Sequence, residues 1–234
     1  PQTVPSALDG LGAPLGLAIG DYDNDERADV LVVLPDRIEL LRGEPDGSFS
    51  RATGMLGDAA TGPVRSALWL DADHDGDLDL LLCRTGAPLQ LLNNNADGTF
   101  ADITAAAGLA QAGDHAVLAL PGDIDRDRDI DLVLLRVDAP AAIFLNELAG
   151  TFREVPVAGE IRGDLGGLLQ DFNGDGHLDL RALADHPALP ALHLGDGRGG
   201  FARSPAFAEV ALAAAAFGTI RAVRATDLDL DGDL

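Results

Sequence analysis

One motif returns along this chain at a nearly constant interval, and that repeat limits the fold more than any other feature. Five acidic windows read DYDNDERADV (Asp21 to Val30), DADHDGDLDL (Asp71 to Leu80), DIDRDRDIDL (Asp123 to Leu132), DFNGDGHLDL (Asp171 to Leu180) and DLDLDGDL (Asp227 to Leu234). Their first aspartates are 50, 52, 48 and 56 residues apart, and together they hold 22 of the 39 acidic side chains in 48 of the 234 residues. A second marker keeps the same interval. The phenylalanines of Gly47-Ser48-Phe49, Gly98-Thr99-Phe100, Gly150-Thr151-Phe152 and Gly200-Phe201 follow the first aspartate of a window by 28 to 30 residues. Self-similarity of this kind means an array of one supersecondary unit, each copy burying its apolar face against its neighbours.

Each unit reads as four short strands. An apolar run precedes the acidic window (Leu15 to Ile19, Ala67 to Leu70, Ala116 to Leu120, Gly166 to Leu169), and a second begins at its last aspartate (Asp29 to Val33, Asp79 to Cys83, Asp131 to Leu135, Asp179 to Leu183). Both runs are continuous rather than alternating, which predicts sheets covered on both faces. A third run follows (Ile38 to Leu41, Leu89 to Leu92, Ala142 to Leu145), and then a turn at Asp46-Gly47, Asp97-Gly98, Ala149-Gly150 or Gly199-Gly200, where glycine supplies positive φ. A more polar fourth strand closes the unit, as in Phe100 to Thr104. The expected fold is therefore all-β, a β-propeller of four-stranded blades. Its repeats run over about 15–56, 65–108, 115–157 and 165–206, with a partial one over 220–234. The Ala-rich stretch Val210 to Phe217 could form a helical turn, although no capping signature precedes it.

The purpose of the aspartates follows from their spacing. Within a window they fall at positions one, three, five and nine, so alternate side chains of a tight loop can converge while the last acid closes the site at the start of the next strand. Gathered carboxylates repel and resist desolvation unless a cation joins them. An all-oxygen shell suits Ca²⁺, whereas Mg²⁺ tends to keep its waters. Glycine at position six (Gly76, Gly176, Gly232) suits a sharp turn, while Glu26 and Arg128 in the same place should each cost roughly 1 kcal/mol if that turn is left-handed. Loop two is expected to be the strongest site. Loop five, which reaches Leu234 before its closing acid, is expected to be the weakest.

These residues, with Gly20 and Gly122 ahead of two windows, resemble the FG-GAP/VCBS repeats, the calcium-loop propeller blades also seen in integrin α-subunit heads. The stretch from Asn93 to Leu109, NNNADGTFADITAAAGL, is similar to a segment of proteins related to cartilage acidic protein and to the ASPIC/UnbV group. The resemblance implies a propeller, usually of seven blades, on a secreted, periplasmic or cell-surface protein that binds other molecules. It also implies calcium, about one ion per loop and four to five in all, at Asp21, Asp23, Asp25, Asp29, Asp71, Asp73, Asp75, Asp79, Asp123, Asp125, Asp127, Asp131, Asp171, Asn173, Asp175, Asp179, Asp227, Asp229 and Asp231. Residue 1 aligns with Ile103 inside an outer strand, so the chain is expected to begin and end in mid-blade. About four complete blades with partial ends would form an arc or fragment, completed by a longer parent chain or by other copies.

Composition removes several other functions. Sixteen basic against 39 acidic residues give a net charge of −23, which argues against binding nucleic acid or an anionic membrane. All sixteen are arginine, so neither a Schiff-base lysine nor a phosphate-binding Walker loop exists. No apolar run is long enough to span a membrane. Cys83 is alone, which excludes an internal disulfide, and reads as a core residue. The histidines His74, His115, His177, His186 and His193 show no zinc spacing, and no serine sits in a nucleophile elbow. The four repeating phenylalanines read as core, and the tripeptide Arg162-Gly163-Asp164 lies between repeats. The expected function is a non-catalytic, calcium-binding scaffold for a protein or glycan partner. The alternative is a carbohydrate-active enzyme of the lyase or dehydratase type, with its site in the central channel.

Overall fold

The computed structural model describes residues 7–204 except 8, 85, 111, 113–114, 158, 164–165 and 184–190. The chain divides into two units, Pro1–Asp114 and His115–Leu234. In the first, β1 (Gly16–Gly20), β2 (Asp29–Val33), β3 (Ile38–Gly43) and β4 (Phe49–Arg51) form one antiparallel sheet in chain order. A second holds β5 (Val64–Leu70), β6 (Asp79–Arg84), β7 (Gln90–Asn94) and β8 (Phe100–Asp102). The second unit repeats the plan with β9 (Ala116–Gly122), β10 (Asp131–Arg136), β11 (Ala142–Asn146) and β12 (Phe152–Val155), then β13 (Gly166–Gln170), β14 (Asp179–Leu183), β15 (Ala191–Gly195) and β16 (Phe201–Arg203). Among the described residues every sheet is open, and the expected four-stranded blades are present.

Strand periodicity explains the cores. Leu31 and Val33 face one side of β2 and join Tyr22, Ile38, Leu40, Val64, Trp69, Leu80 and Leu82 between the first unit's two sheets. Val32 and Leu41 face the other side and meet Leu11 and Leu34. In β6 Leu80, Leu81 and Leu82 are all fully buried. Each contributes about 1.5–3 kcal/mol of hydrophobic stabilisation, and both faces of this strand are covered, as its unbroken apolar run predicts. The second unit packs Ile124, Val133, Leu135, Ile143 and Leu145 against Leu180, Ala182 and Phe201. Cys83 is buried in β6, as expected of a core residue.

Three features depart from the sequence reading. β1 is covered on one side only: Leu15, Leu17 and Ile19 are 61%, 58% and 67% exposed. A continuous apolar run reports what each face could bury, and among the described residues of the first unit no second sheet lies against this side of β1. Phe49 is exposed although Phe152 and Phe201 are buried and Phe100 packs on Tyr22 and Trp69. Phe100 packs on Tyr22, position two of the acidic loop one repeat earlier, and Phe201 shares a core with Ile124, which holds the same place in loop three; no described repeat lies ahead of the one that carries Phe49. A turn of 3-10 helix, Gly57–Ala60, lies between the first two sheets, and no periodic pattern announces it. The Ala-rich stretch and the fifth acidic window lie outside the described residues. No helix among the described residues is long and apolar enough to cross a membrane.

Candidate metal-binding loops

Each of the first four windows turns the chain between the first and second strands of a sheet. The register pairs Gly20 with Asp29, Leu70 with Asp79, Gly122 with Asp131 and Gln170 with Asp179, so the last aspartate is already in the ladder. Left-handed residues make the reversal. Position six is left-handed in all four loops (Glu26, φ 67°; Gly76, 90°; Arg128, 82°; Gly176, 83°), as the sequence suggested. Position four is left-handed too (Asn24, 55°; His74, 63°; Arg126, 69°; Gly174, 73°). Nothing in those side-chain types signals it, apart from Gly174 and the tolerance of asparagine.

With a left-handed residue after each of positions three and five, the acids at one, three and five converge. One oxygen each from Asp71, Asp73 and Asp75 lies within 4.8 Å of the others, and the same is true of Asp123, Asp125 and Asp127. In loop one the converging acids are Asp21, Asp23 and Asp29. Burial, followed by the charge of the neighbouring acid, pushes Asp73 and Asp125 above the usual carboxylate range. Asp23 Oδ1, Asp71 Oδ1 and Asp123 Oδ1 are buried with no hydrogen-bond donor. A buried carboxylate oxygen without a partner is costly, and a hard cation supplies what it lacks. The residues of loops two and three therefore fit a divalent ion. In loop four the chain does part of this work itself. Asn173 Nδ2 donates to Asp175 Oδ2 at 2.9 Å, which together with backbone donation from His177 holds Asp175 below its usual range.

Position nine does more than the sequence indicated. Asp29, Asp79, Asp131 and Asp179 are almost wholly buried. Their Oδ2 atoms accept the backbone N–H of position two: Tyr22 (3.0 Å), Ala72 (3.0 Å), Ile124 (2.7 Å) and Phe172 (3.0 Å). Their Oδ1 atoms accept from the end of the third strand: Gly43 (2.7 Å), Asn94 (2.8 Å), Asn146 (2.8 Å) and Gly195 (2.9 Å). These carboxylates brace each loop to its sheet. Burial pushes Asp79 and Asp131 up to about 6 despite those donors. Position one is held the same way, Asp21 accepting from Asp25 and Glu26, and Asp171 from Gly174, Asp175 and Gly176.

Loops one and two are joined. Asn24 Nδ2 donates to Asp77 Oδ1 at 2.5 Å, and Asn94 Nδ2 donates to the Tyr22 carbonyl at 2.7 Å. Glycine before a loop also makes room: a Cβ at Gly20 would lie 2.7 Å from Leu78 Cδ1, and one at Gly122 would lie 2.6 Å from Leu178 Cδ1. Loop one also carries internal cations. Arg42 Nε lies 2.7 Å from Asp23 Oδ2 and Arg42 Nη2 lies 3.1 Å from Asp25 Oδ2, while Arg27 pairs with Asp25. Although desolvation works the other way, donation by Arg42 and by the Arg27 backbone, with both positive charges, holds Asp25 below its usual range. Asp227, Asp229 and Asp231 lie outside the described residues.

Elsewhere, His193 is buried in β15, where burial lowers its pKa and favours a neutral core histidine. A cleft of about 660 Å³ in the first unit is lined by Asp58, Pro88, Gln90, Asp102 and Thr104 around the buried Arg84. Arg84 donates to the carbonyls of Ala59 (2.8 Å) and Thr61 (2.9 Å) and to Gln90 Oε1 (2.5 Å). Sequence reading missed this cluster because its members come from three separated segments with no motif among them.

Repeated four-stranded antiparallel sheets with an acidic loop between the first two strands define a blade-type repeat protein. The chain matches the FG-GAP-like repeat three times, over residues 21–82, 71–134 and 123–180, and it belongs to that family. No curated protein matches it. Among solved structures it is similar to an Agrocybe aegerita lectin, described for its specific recognition of non-reducing terminal N-acetylglucosamine. The TM-score is 0.53 at 22% identity, over 80% of this chain and 50% of the lectin. It also aligns with the biofilm matrix protein Bap1 of V. cholerae, at a TM-score of 0.47 and 15% identity, over 79% of this chain and 29% of that one. The chain thus spans half the length of the lectin whose fold it shares.

Proposed function

We propose that this chain is a calcium-binding propeller segment that serves as a non-catalytic binding scaffold at the cell surface or outside the cell. The observation that carries the metal half is the buried, donorless oxygen of Asp71 and of Asp123, each heading a converging triad of aspartates. Calcium accepts many carboxylate and carbonyl oxygens, whereas magnesium seldom sheds its water for such a cage. Asp71, Asp73 and Asp75 would hold one ion and Asp123, Asp125 and Asp127 another, with Asp79 and Asp131 closing the loops behind them. Asp171, Asn173, Asp175 and Asp179 offer a third site of lower charge. A bound ion supplies charge neutralisation and fixes the loop on its sheet; the protein's own residues supply the rest of the rigidity through the position-nine braces.

An extracellular setting is supported by the family and by the likeness of Asn93 to Leu109 to proteins related to cartilage acidic protein. It also agrees with calcium affinities of about 10⁻⁴–10⁻³ M, common in extracellular modules. The missing lysine and the absence of any nucleophile motif in the sequence support binding rather than catalysis. The partner is a glycan or a protein; the lectin's recognition of a terminal sugar supports the former, and the Arg84 cleft offers it polar groups in a concave wall. The apolar face that β1 leaves uncovered supports an array completed by further blades, from a longer parent chain or from other copies.

Native mass spectrometry in calcium tests the metal half. The intact chain should retain calcium, and Asp73→Asn and Asp125→Asn should each remove one ion. A chain that retains none, or keeps its count through both substitutions, would reject the reading.

A further inference from the structure

We infer that loop one is a cation-free loop whose counter-charge is built into the chain: Arg42, with Arg27 beside it, fills the role that a divalent ion fills in loops two and three. The inference rests on the calcium reading of those two loops. Equivalent positions are fixed by the braces. Gly43, Asn94, Asn146 and Gly195 each donate a backbone N–H to a position-nine carboxylate, so the residues before them, Arg42, Asn93, Leu145 and Leu194, correspond. Only β3 places a charged side chain there. Its guanidinium bridges Asp23 (2.7 Å) and Asp25 (3.1 Å). Position seven adds to this: it is Arg27 in loop one, against Asp77, Asp129 and His177 in the others. Arg27 pairs with Asp25 and donates its Nε to the Gly43 carbonyl at 2.9 Å.

The geometry of the acids follows. In loops two and three, positions one, three and five converge. In loop one the two arginines take position five, and the converging set becomes Asp21, Asp23 and Asp29. Loop three supplies the control. It also has two arginines, Arg126 and Arg128, yet among the described residues neither pairs with Asp123, Asp125 or Asp127. Arg126 runs the other way, its Cδ lying 3.2 Å from where a Cβ on Gly197 would sit. Placement, not the number of arginines, separates the loops. An ion entering loop one would have to displace charge-assisted contacts and share the space with two positive charges. Asp23 keeps one buried oxygen without a donor, so removing Arg42 should leave a site that a cation can enter.

Isothermal titration of the whole chain with calcium chloride tests this. Asp25→Asn should bind as many ions as the parent, Asp73→Asn one fewer and Arg42→Gln one more. Melting in chelator reads folding separately: Arg42→Gln should melt below the parent there and regain the loss in calcium. A site lost with Asp25→Asn, or none gained by a folded Arg42→Gln while Asp73→Asn loses one, would overturn the inference and leave the calcium reading standing. Absence of binding by every chain would remove the calcium reading and this inference with it.

Discussion

Asp79 shows how much one carboxylate can do in a repeat of this kind. Its two oxygens hold the Ala72 and Asn94 amides, 22 residues apart in the chain, at 3.0 and 2.8 Å. Truncation leaves two buried N–H groups without an acceptor, each costing about 1–3 kcal/mol. Asp79→Ala should therefore lower stability by about 2–6 kcal/mol in urea unfolding, measured in chelator so that metal plays no part. Asp97, in an exposed turn, is the comparison, and its alanine variant should lose far less. Backbone strain gives a prediction of opposite sign. Arg128 sits at φ 82°, where a side chain costs roughly 1 kcal/mol. Arg128→Gly should raise the urea midpoint, although glycine's greater freedom in the unfolded chain returns part of the gain.

At the scale of the loop and strand, pH sets the balance. Asp79 and Asp131 ionise near 3.8 when unfolded and near 6 when folded, because burial disfavours the charge. The folded, chelated chain thus holds more protons between those values. The stability that protonation provides is complete below the unfolded value and is lost as pH rises through 6. Calcium reverses the trend, since its ligands must be deprotonated. Chemical denaturation across this range should fall with pH in chelator and rise with pH in saturating calcium. Coupling between loops is also an element-scale matter. Asn94→Ala should cost about 1–3 kcal/mol by leaving the buried Tyr22 carbonyl unsatisfied. Much at this scale was legible in the sequence. Apolar runs marked the first two strands of each sheet and the third strand of three of them, and glycines marked the hairpin turns, because strand burial and positive φ are local demands. The braces and Arg42 were not legible. A carboxylate that serves a backbone amide has the same letter as one that serves a metal, and Arg42 reaches its loop only through strand pairing.

Across the described residues, four copies of one sheet fall into two units, each with its own core between paired sheets. The repeat predicted the copies but not their differences. β1 exposes the apolar side chains of Leu17 and Ile19, and Phe49 lacks the partner that Tyr22 gives Phe100. Both differences belong to the first sheet, where the array has no described predecessor. The acidic charge of −23 is spread through the same repeats, so the fold carries its repulsion in its loops. If cations relieve that repulsion, stability belongs to the loaded molecule. Thermal unfolding of the intact chain in calcium and in chelator examines this directly. The melting temperature should rise with calcium, each site adding about 2.7 kcal/mol at a hundredfold excess over its Kd. Superimposed melting curves would contradict the account, because carboxylates that converge without a donor and gain nothing from a cation would not be metal ligands.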